Sequence, residues 1–267
     1  LGDIPQYSGE KQRGSFVVRE NGRDPVSEAF RMIRSNMNFM NLGKSEIKVI
    51  MVTSSNPHAG KTFVSTNLAM TFATTGKKVV IMDLDLRRRT FSKQMGHGGD
   101  TNGVSSYLSG STGLQAIIRK SKLSENLDII YAGIQPPNPS EMLLSQRMEE
   151  LIAELKLHYD YIIIDSTPAM AVADAIITDR LADLSIYVVR EGLLDRRQLP
   201  DIERLYREKK FHNMAIILNG ASSTKRHGYG YGYGYGYRYG LDEEETTTKK
   251  GFWGKLCEWT RNKFQKK

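Results

Sequence analysis

Apolar residues gather along this chain in short runs, each closed by a glycine-rich or acidic turn. Val49-Ile50-Met51-Val52, Val79-Val80-Ile81-Met82, Tyr161-Ile162-Ile163-Ile164, Leu184-Ser185-Ile186-Tyr187-Val188-Val189 and Met214-Ala215-Ile216-Ile217-Leu218 are near-continuous and do not alternate with polar residues. Strands apolar on both sides are covered on both faces, which is how a parallel sheet between helices is built. Ahead of the first run, Asp24-Pro25-Val26-Ser27-Glu28 starts a helix that carries Phe30, Ile33 and Met37 on one stripe. The predicted class is α/β, a mainly parallel sheet flanked by helices.

The same pattern divides the chain. Residues 1–24 are polar and broken by Pro5, Gly9, Gly14 and Gly22, and read as a linker settling onto a domain. The domain itself is expected over 25–222. Residues 223–248 change character: Gly228 to Gly240 is nearly strict Tyr-Gly alternation, and an acidic stretch from Asp242 to Glu245 follows. Such a tail stays flexible, because glycine loses the most entropy on ordering. Residues 249–267 are basic and place Phe252, Leu256 and Trp259 on one helical face.

Chemistry sits at the strand ends. The first run leads into Ser55-Asn56-Pro57-His58-Ala59-Gly60-Lys61-Thr62-Phe63, a phosphate-binding loop in which Ser55 replaces the usual first glycine while Gly60, Lys61 and Thr62 are intact. Backbone N–H groups before Lys61 face phosphate oxygens, the following helix adds its positive end, and Thr62 can ligate Mg²⁺. The second run ends in Asp83-Leu84-Asp85-Leu86-Arg87, where alternation puts Asp83 and Asp85 on one side, and the third ends in Asp165-Ser166-Thr167-Pro168. Three buried strands ending in a phosphate loop or a carboxylate place one nucleotide site at the carboxyl edge of the sheet.

These stretches resemble the Walker A, A′ and B motifs of bacterial tyrosine kinases, cytoplasmic domains of capsule and exopolysaccharide export machines within the deviant Walker P-loop NTPases (MinD/ParA-like). Ala132-Gly133-Ile134-Gln135-Pro136-Pro137-Asn138-Pro139-Ser140-Glu141, with Leu143, Leu144 and Ser145, is similar to another segment of that family. The likeness runs from about Leu1 to Asn219. It departs at His58, where the family has a small residue, and at Thr167, where it has proline.

The resemblance implies ATP and Mg²⁺ on the 55–62 loop, with Lys61 bridging the β- and γ-phosphates and Thr62, Asp83 and Asp165 around the metal. Asp85 would take the proton of the acceptor phenol, or Asp83 and Asp85 exchange roles. Arg87 would neutralise charge on the transferred phosphoryl group, and Asn219 would contact adenine. The acceptors would be Tyr229, Tyr231, Tyr233, Tyr235, Tyr237 and Tyr239. Glu28, Arg31 and Arg34 match the family's docking motif for a ring, an octamer by resemblance. A membrane-spanning module, upstream in the same or a separate chain, and a tyrosine phosphatase are the further partners implied, at the cytoplasmic face of the bacterial inner membrane. Leu1 in place of Met fits a piece of something longer. The competing class is a partition or division-site ATPase that switches dimer state on membrane or DNA. Its members carry a second lysine in the loop where this chain has Asn56.

Composition changes little of this. The 267 residues, 39% of them hydrophobic, suffice to fill one large domain core, and the single cysteine, Cys257, excludes an internal disulfide framework. No apolar stretch is long enough to cross a bilayer. The net charge of +8 falls partly in Arg87, Arg88 and Arg89 and partly in the last segment, with no aromatic-lined basic groove, which argues against a nucleic-acid partner. The terminal segment fits an interfacial helix on an anionic membrane, or equally a helix packed on protein. Six phosphotyrosines would add roughly −9 to −12, enough to make clustered tails repel one another.

Overall fold

Strand β1 (Gly2–Pro5) opens the sheet of a computed structural model that describes residues 1–7, 16–40 and 46–222. The Tyr-Gly repeat, the six tyrosines expected there as acceptors, Cys257 and the basic segment lie outside the described residues. Helix α1 (Pro25–Met40) follows, then β2 (Val49–Ser54), α2 (Lys61–Ala73) and β3 (Val79–Asp83). Next come the short helices α3 (Thr90–Gln94), α4 (Val104–Leu108) and α5 (Leu114–Ile117), and strands β4 (Ile118–Lys120) and β5 (Leu127–Ile130). Helices α6 (Pro139–Leu144) and α7 (Gln146–His158), strand β6 (Tyr161–Asp165), α8 (Asp174–Asp179), β7 (Leu184–Arg190), α9 (Leu199–Arg207) and β8 (Met214–Ala221) complete it.

The sheet order is β1-β8-β7-β2-β6-β3-β5-β4, parallel throughout except for the β4–β5 pair. Alternation along each strand splits the core in two. Ile50, Val52, Val79, Ile81 and Ile163 pack with Phe30, Ile33, Val64 and Leu68 from α1 and α2. Val49, Met51, Val80, Met82, Ile162 and Ile164 pack with Leu143, Leu151, Ala175 and Ile202 from the helices of the other face. Both faces are therefore dry, as the continuous apolar runs required.

Three strands were not legible in the sequence: β1, β5 and the short antiparallel β4 that pairs with β5. Residues 2–5, read as linker, form the edge strand, with Gly2 opposite Ile217 and Ile4 opposite Asn219. Leu127–Ile130 contains Asp128, which interrupts its apolar run, yet it pairs along β3 from Val79 to Met82. Among the described residues no helix is long and apolar enough to cross a membrane.

Candidate active site

Parallel register brings the chemistry together. Val52 on β2 lies opposite Asp165 on β6, and Asp165 lies opposite Asp83 on β3, so both carboxylates stand beside the phosphate loop. The loop turns into α2 through Gly60, whose φ of +96° is left-handed and favours glycine. A Cβ there would sit 2.1 Å from Asn219 Nδ2. That amide donates to the Ala59 carbonyl at 2.9 Å, so β8 pins the loop from the far side of β7. His58 also has a positive φ, 63°, and its carbonyl accepts from Arg190 Nη1 at 3.0 Å. The family's small residue at this position is thus matched here by a strained histidine held by an arginine.

Past the glycine, side chains converge on Asp165. Thr62 Oγ1 donates to its Oδ2 at 2.7 Å and Ser65 Oγ to its Oδ1 at 2.9 Å. Among the described residues Lys61 Nζ hydrogen-bonds only to Ser54 Oγ, at 3.3 Å. Burial lowers the lysine's pKa, against the opposing pull of Asp165 and Asp85. A desolvated ammonium with one weak hydroxyl partner is electrostatically suited to an anion. Thr62, Asp83 and Asp165 offer oxygen atoms only, the donor set that Mg²⁺ takes. The residues therefore fit a magnesium-bound nucleotide.

Asp83 is fully buried and accepts from Ser92 N, Ser92 Oγ and Asp85 N at 2.9, 2.7 and 3.1 Å. Burial first, and then the charge of Asp165, push it up to about 7, while burial pushes Asp165 up to about 6. Asp85 lies in the turn beyond β3 and accepts from Arg88 N at 2.9 Å and Thr90 Oγ1 at 3.2 Å. Sequence reasoning missed Ser92, whose hydroxyl also accepts from Ala132 N at 3.0 Å and joins α3 to the loop after β5. It missed Ser65 as well, although its place one turn after Lys61 was a usable signal.

Arg87 is already engaged. Its Nε and Nη2 donate to Asp174 Oδ2 and Oδ1 at 2.7 and 3.2 Å, and Nη2 also donates to Ser140 Oγ at 2.8 Å. Ser140 in turn donates to Asp174 at 2.7 Å, and Asp174 is 1% exposed. Taking Arg87 to a phosphate would leave the buried Asp174 carboxylate with the Ser140 hydroxyl but without its counter-charge, which opposes the move. The guanidinium of the next residue, the exposed Arg88, has no partner among the described residues. In α1, Glu28 and Arg31 pair with each other at 2.6 Å, while Arg34 donates to the Thr71 carbonyl of α2 at 3.2 Å. Phe30 and Ile33 beside them are fully buried.

Residues 47–189 match the family model described as AAA domain. A tyrosine-protein kinase of Bacillus subtilis strain 168, YwqD, is 33% identical over 221 residues, covering 83% of this chain and 92% of its own. A putative tyrosine-protein kinase in the cps region of Klebsiella pneumoniae is 36% identical over 215 residues, 80% of this chain. This chain spans only 29% of the length of that relative. Among solved structures, the kinase domain of the Escherichia coli tyrosine kinase ETK superposes with a TM-score of 0.75 at 31% identity, covering 88% of this chain and 94% of that one.

Proposed function

The chain belongs to the bacterial tyrosine kinase family of P-loop proteins, and from that premise we propose that it is an ATP-dependent protein-tyrosine autokinase acting on its own Tyr-Gly repeat. The observation that carries this is the convergence of Thr62 and Ser65 on Asp165 beside an under-partnered Lys61. Lys61 holds the β- and γ-phosphates of ATP, and the N–H groups of the 55–61 loop and the start of α2 cradle them. Thr62, Asp165 and Asp83 would hold Mg²⁺, and the ion would neutralise phosphate charge.

A phenol, with pKa near 10, is a poor nucleophile until a base takes its proton. Asp83 has no exposed surface and three protein donors, which favours Asp85 as that base. The phenolic oxygen bonds to the γ-phosphorus as the bond to the β-phosphate oxygen breaks. The proton passes to Asp85, and ADP leaves. Arg87, tied to Asp174 and Ser140, braces the loop, and the free guanidinium of Arg88 is the better placed to meet charge on the transferred group.

We assign the tail to a neighbouring copy's site, in a ring docked through Glu28, Arg31 and Arg34, on the cytoplasmic face of a membrane that carries its co-polymerase module. A tyrosine phosphatase resets it, and the output is control of capsule or exopolysaccharide assembly. The test is Mg-ATP incubation followed by phosphotyrosine mapping of the parent and Lys61→Met proteins. Loss of phosphotyrosine with a native circular dichroism spectrum is expected; equal phosphotyrosine in the mutant would overturn the scheme.

A further inference from the structure

Three arginines follow Asp85 in the turn after β3. Arg87 is tied to Asp174 and Ser140, and the guanidinium of Arg88 has no partner among the described residues. Arg89 differs from both. It lies in the left-handed region, at φ 53° and ψ 46°, where an L side chain is strained and a glycine would not be. Strain of this kind collects at functional sites.

The left-handed step shapes the turn. Arg89 N donates to the Asp85 carbonyl at 2.7 Å, and the Arg89 carbonyl accepts from Lys93 N at 3.0 Å as α3 begins. The residues on either side then reach the Asp85 carboxylate, Arg88 N donating to Oδ1 at 2.9 Å and Thr90 Oγ1 to Oδ2 at 3.2 Å. Asp85 is therefore aimed by the two neighbours of Arg89.

The Arg89 side chain ties this turn down. Its Nη1 donates to the Gly98 carbonyl at 3.0 Å and to the Gly133 carbonyl at 3.1 Å, one in the loop after α3 and one in the loop after β5. Those loops have little room to shift. A Cβ on Gly103 would sit 2.4 Å from Gly133 N, and Val104 N and Ser105 N donate to the Tyr131 and Ala132 carbonyls at 2.8 and 3.0 Å. The 131–133 segment thus holds both acids of the turn. Through Ala132 N and Ser92 it fixes Asp83, and through the Gly133 carbonyl and Arg89 it fixes Asp85. Among the described residues no hydrogen bond or ion pair joins Arg89 to the 55–62 loop. We propose that Arg89 is a positioning residue for phosphoryl transfer to tyrosine, one that acts through Asp85 and leaves nucleotide binding alone. This rests on the reading of Asp85 as the base of a tyrosine kinase.

The test compares the full chain with Arg89→Gly, which keeps the left-handed turn and removes the guanidinium, and with Arg89→Lys, whose ammonium can meet both carbonyls from one nitrogen as Nη1 does. Phosphotyrosine formed in a single turnover of Mg-ATP and the Kd of Mg-ATP are measured for each. Arg89→Gly should label tyrosine roughly tenfold more slowly or worse, since a misplacement of about 1 Å can cost that much, with a Kd within about twofold of the parent. Arg89→Lys should recover most of the lost rate. A parental rate in Arg89→Gly would overturn the proposal, as would a Kd that weakens in step with the rate, or an Arg89→Lys protein as slow as Arg89→Gly. If Arg89→Gly does not fold, Arg89→Asn takes its place, because it also accepts the left-handed region and is too short to reach either carbonyl. A parent that labels no tyrosine defeats the kinase reading and this inference together, whereas a labelled parent with an unaffected variant defeats this inference alone.

Discussion

Replacing Gly60 by alanine should loosen the phosphate loop by an amount that can be built from its parts. The residue sits at φ +96°, where an L side chain costs about 1–2 kcal/mol. Its new methyl would stand 2.1 Å from Asn219 Nδ2, so the amide must leave. With it goes the 2.9 Å bond to the Ala59 carbonyl, worth about 1 kcal/mol. The sum is about 2–3 kcal/mol, or roughly 5–10 °C in melting temperature for a domain of this size. Asn219→Ala alone should cost about 1 kcal/mol through the same lost bond. In the double mutant the collision is gone and that bond is lost only once, so the two changes should be coupled by about 1 kcal/mol. Thermal melts of the four proteins, with and without Mg-ATP, measure this, and Gly60→Ala should also lose most of the nucleotide-dependent shift. A Gly60→Ala protein that melts and binds like the parent, or strictly additive costs, would refute the linkage between β8 and the loop.

Three further outcomes are expected. Ser92→Ala leaves the buried Ala132 N–H and one oxygen of Asp83 short of a partner, and should destabilise by about 2–3 kcal/mol in a urea melt. Asp83 binds its proton up to about 7 in the folded, metal-free protein but only to about 4 when unfolded. Its contribution to stability is therefore full below pH 4 and is lost as pH rises towards 7, and Asp83→Asn should flatten the fall in stability between pH 5 and 8, measured without Mg²⁺. Phenylalanine at all six of Tyr229 to Tyr239 should keep the assembly at its unphosphorylated mass after exhaustive Mg-ATP treatment, whereas the parent should fall apart by light scattering.

Legibility followed the physics of each feature. Continuous apolar runs announced the central strands; Asp83 and Asp165 were readable because each ends a strand that register sets side by side, and Gly60-Lys61-Thr62 because their motif follows the β2 run and opens α2. Edge strand β1 was not readable: it is short and half covered, and its identity depends on pairing with β8 more than two hundred residues away. Nor was the engagement of Arg87, since its partners Asp174 and Ser140 come from α8 and α6, elements that only the tertiary fold brings to one place. Ser92 escaped for the same reason. A lone polar residue shows its purpose only once its buried neighbours are known. The Tyr-Gly tail is the reverse case, where composition alone carries the argument.

The most direct measurement is the partition of the γ-phosphate. Purified protein is incubated with γ-labelled Mg-ATP, and label on tyrosine is compared with label released as free phosphate. A kinase whose acceptors are its own tail should place most of the early label on Tyr229 to Tyr239, and Lys61→Met should abolish it. Steady release of free phosphate with no labelled tyrosine would contradict that claim and describe an ATPase switch instead.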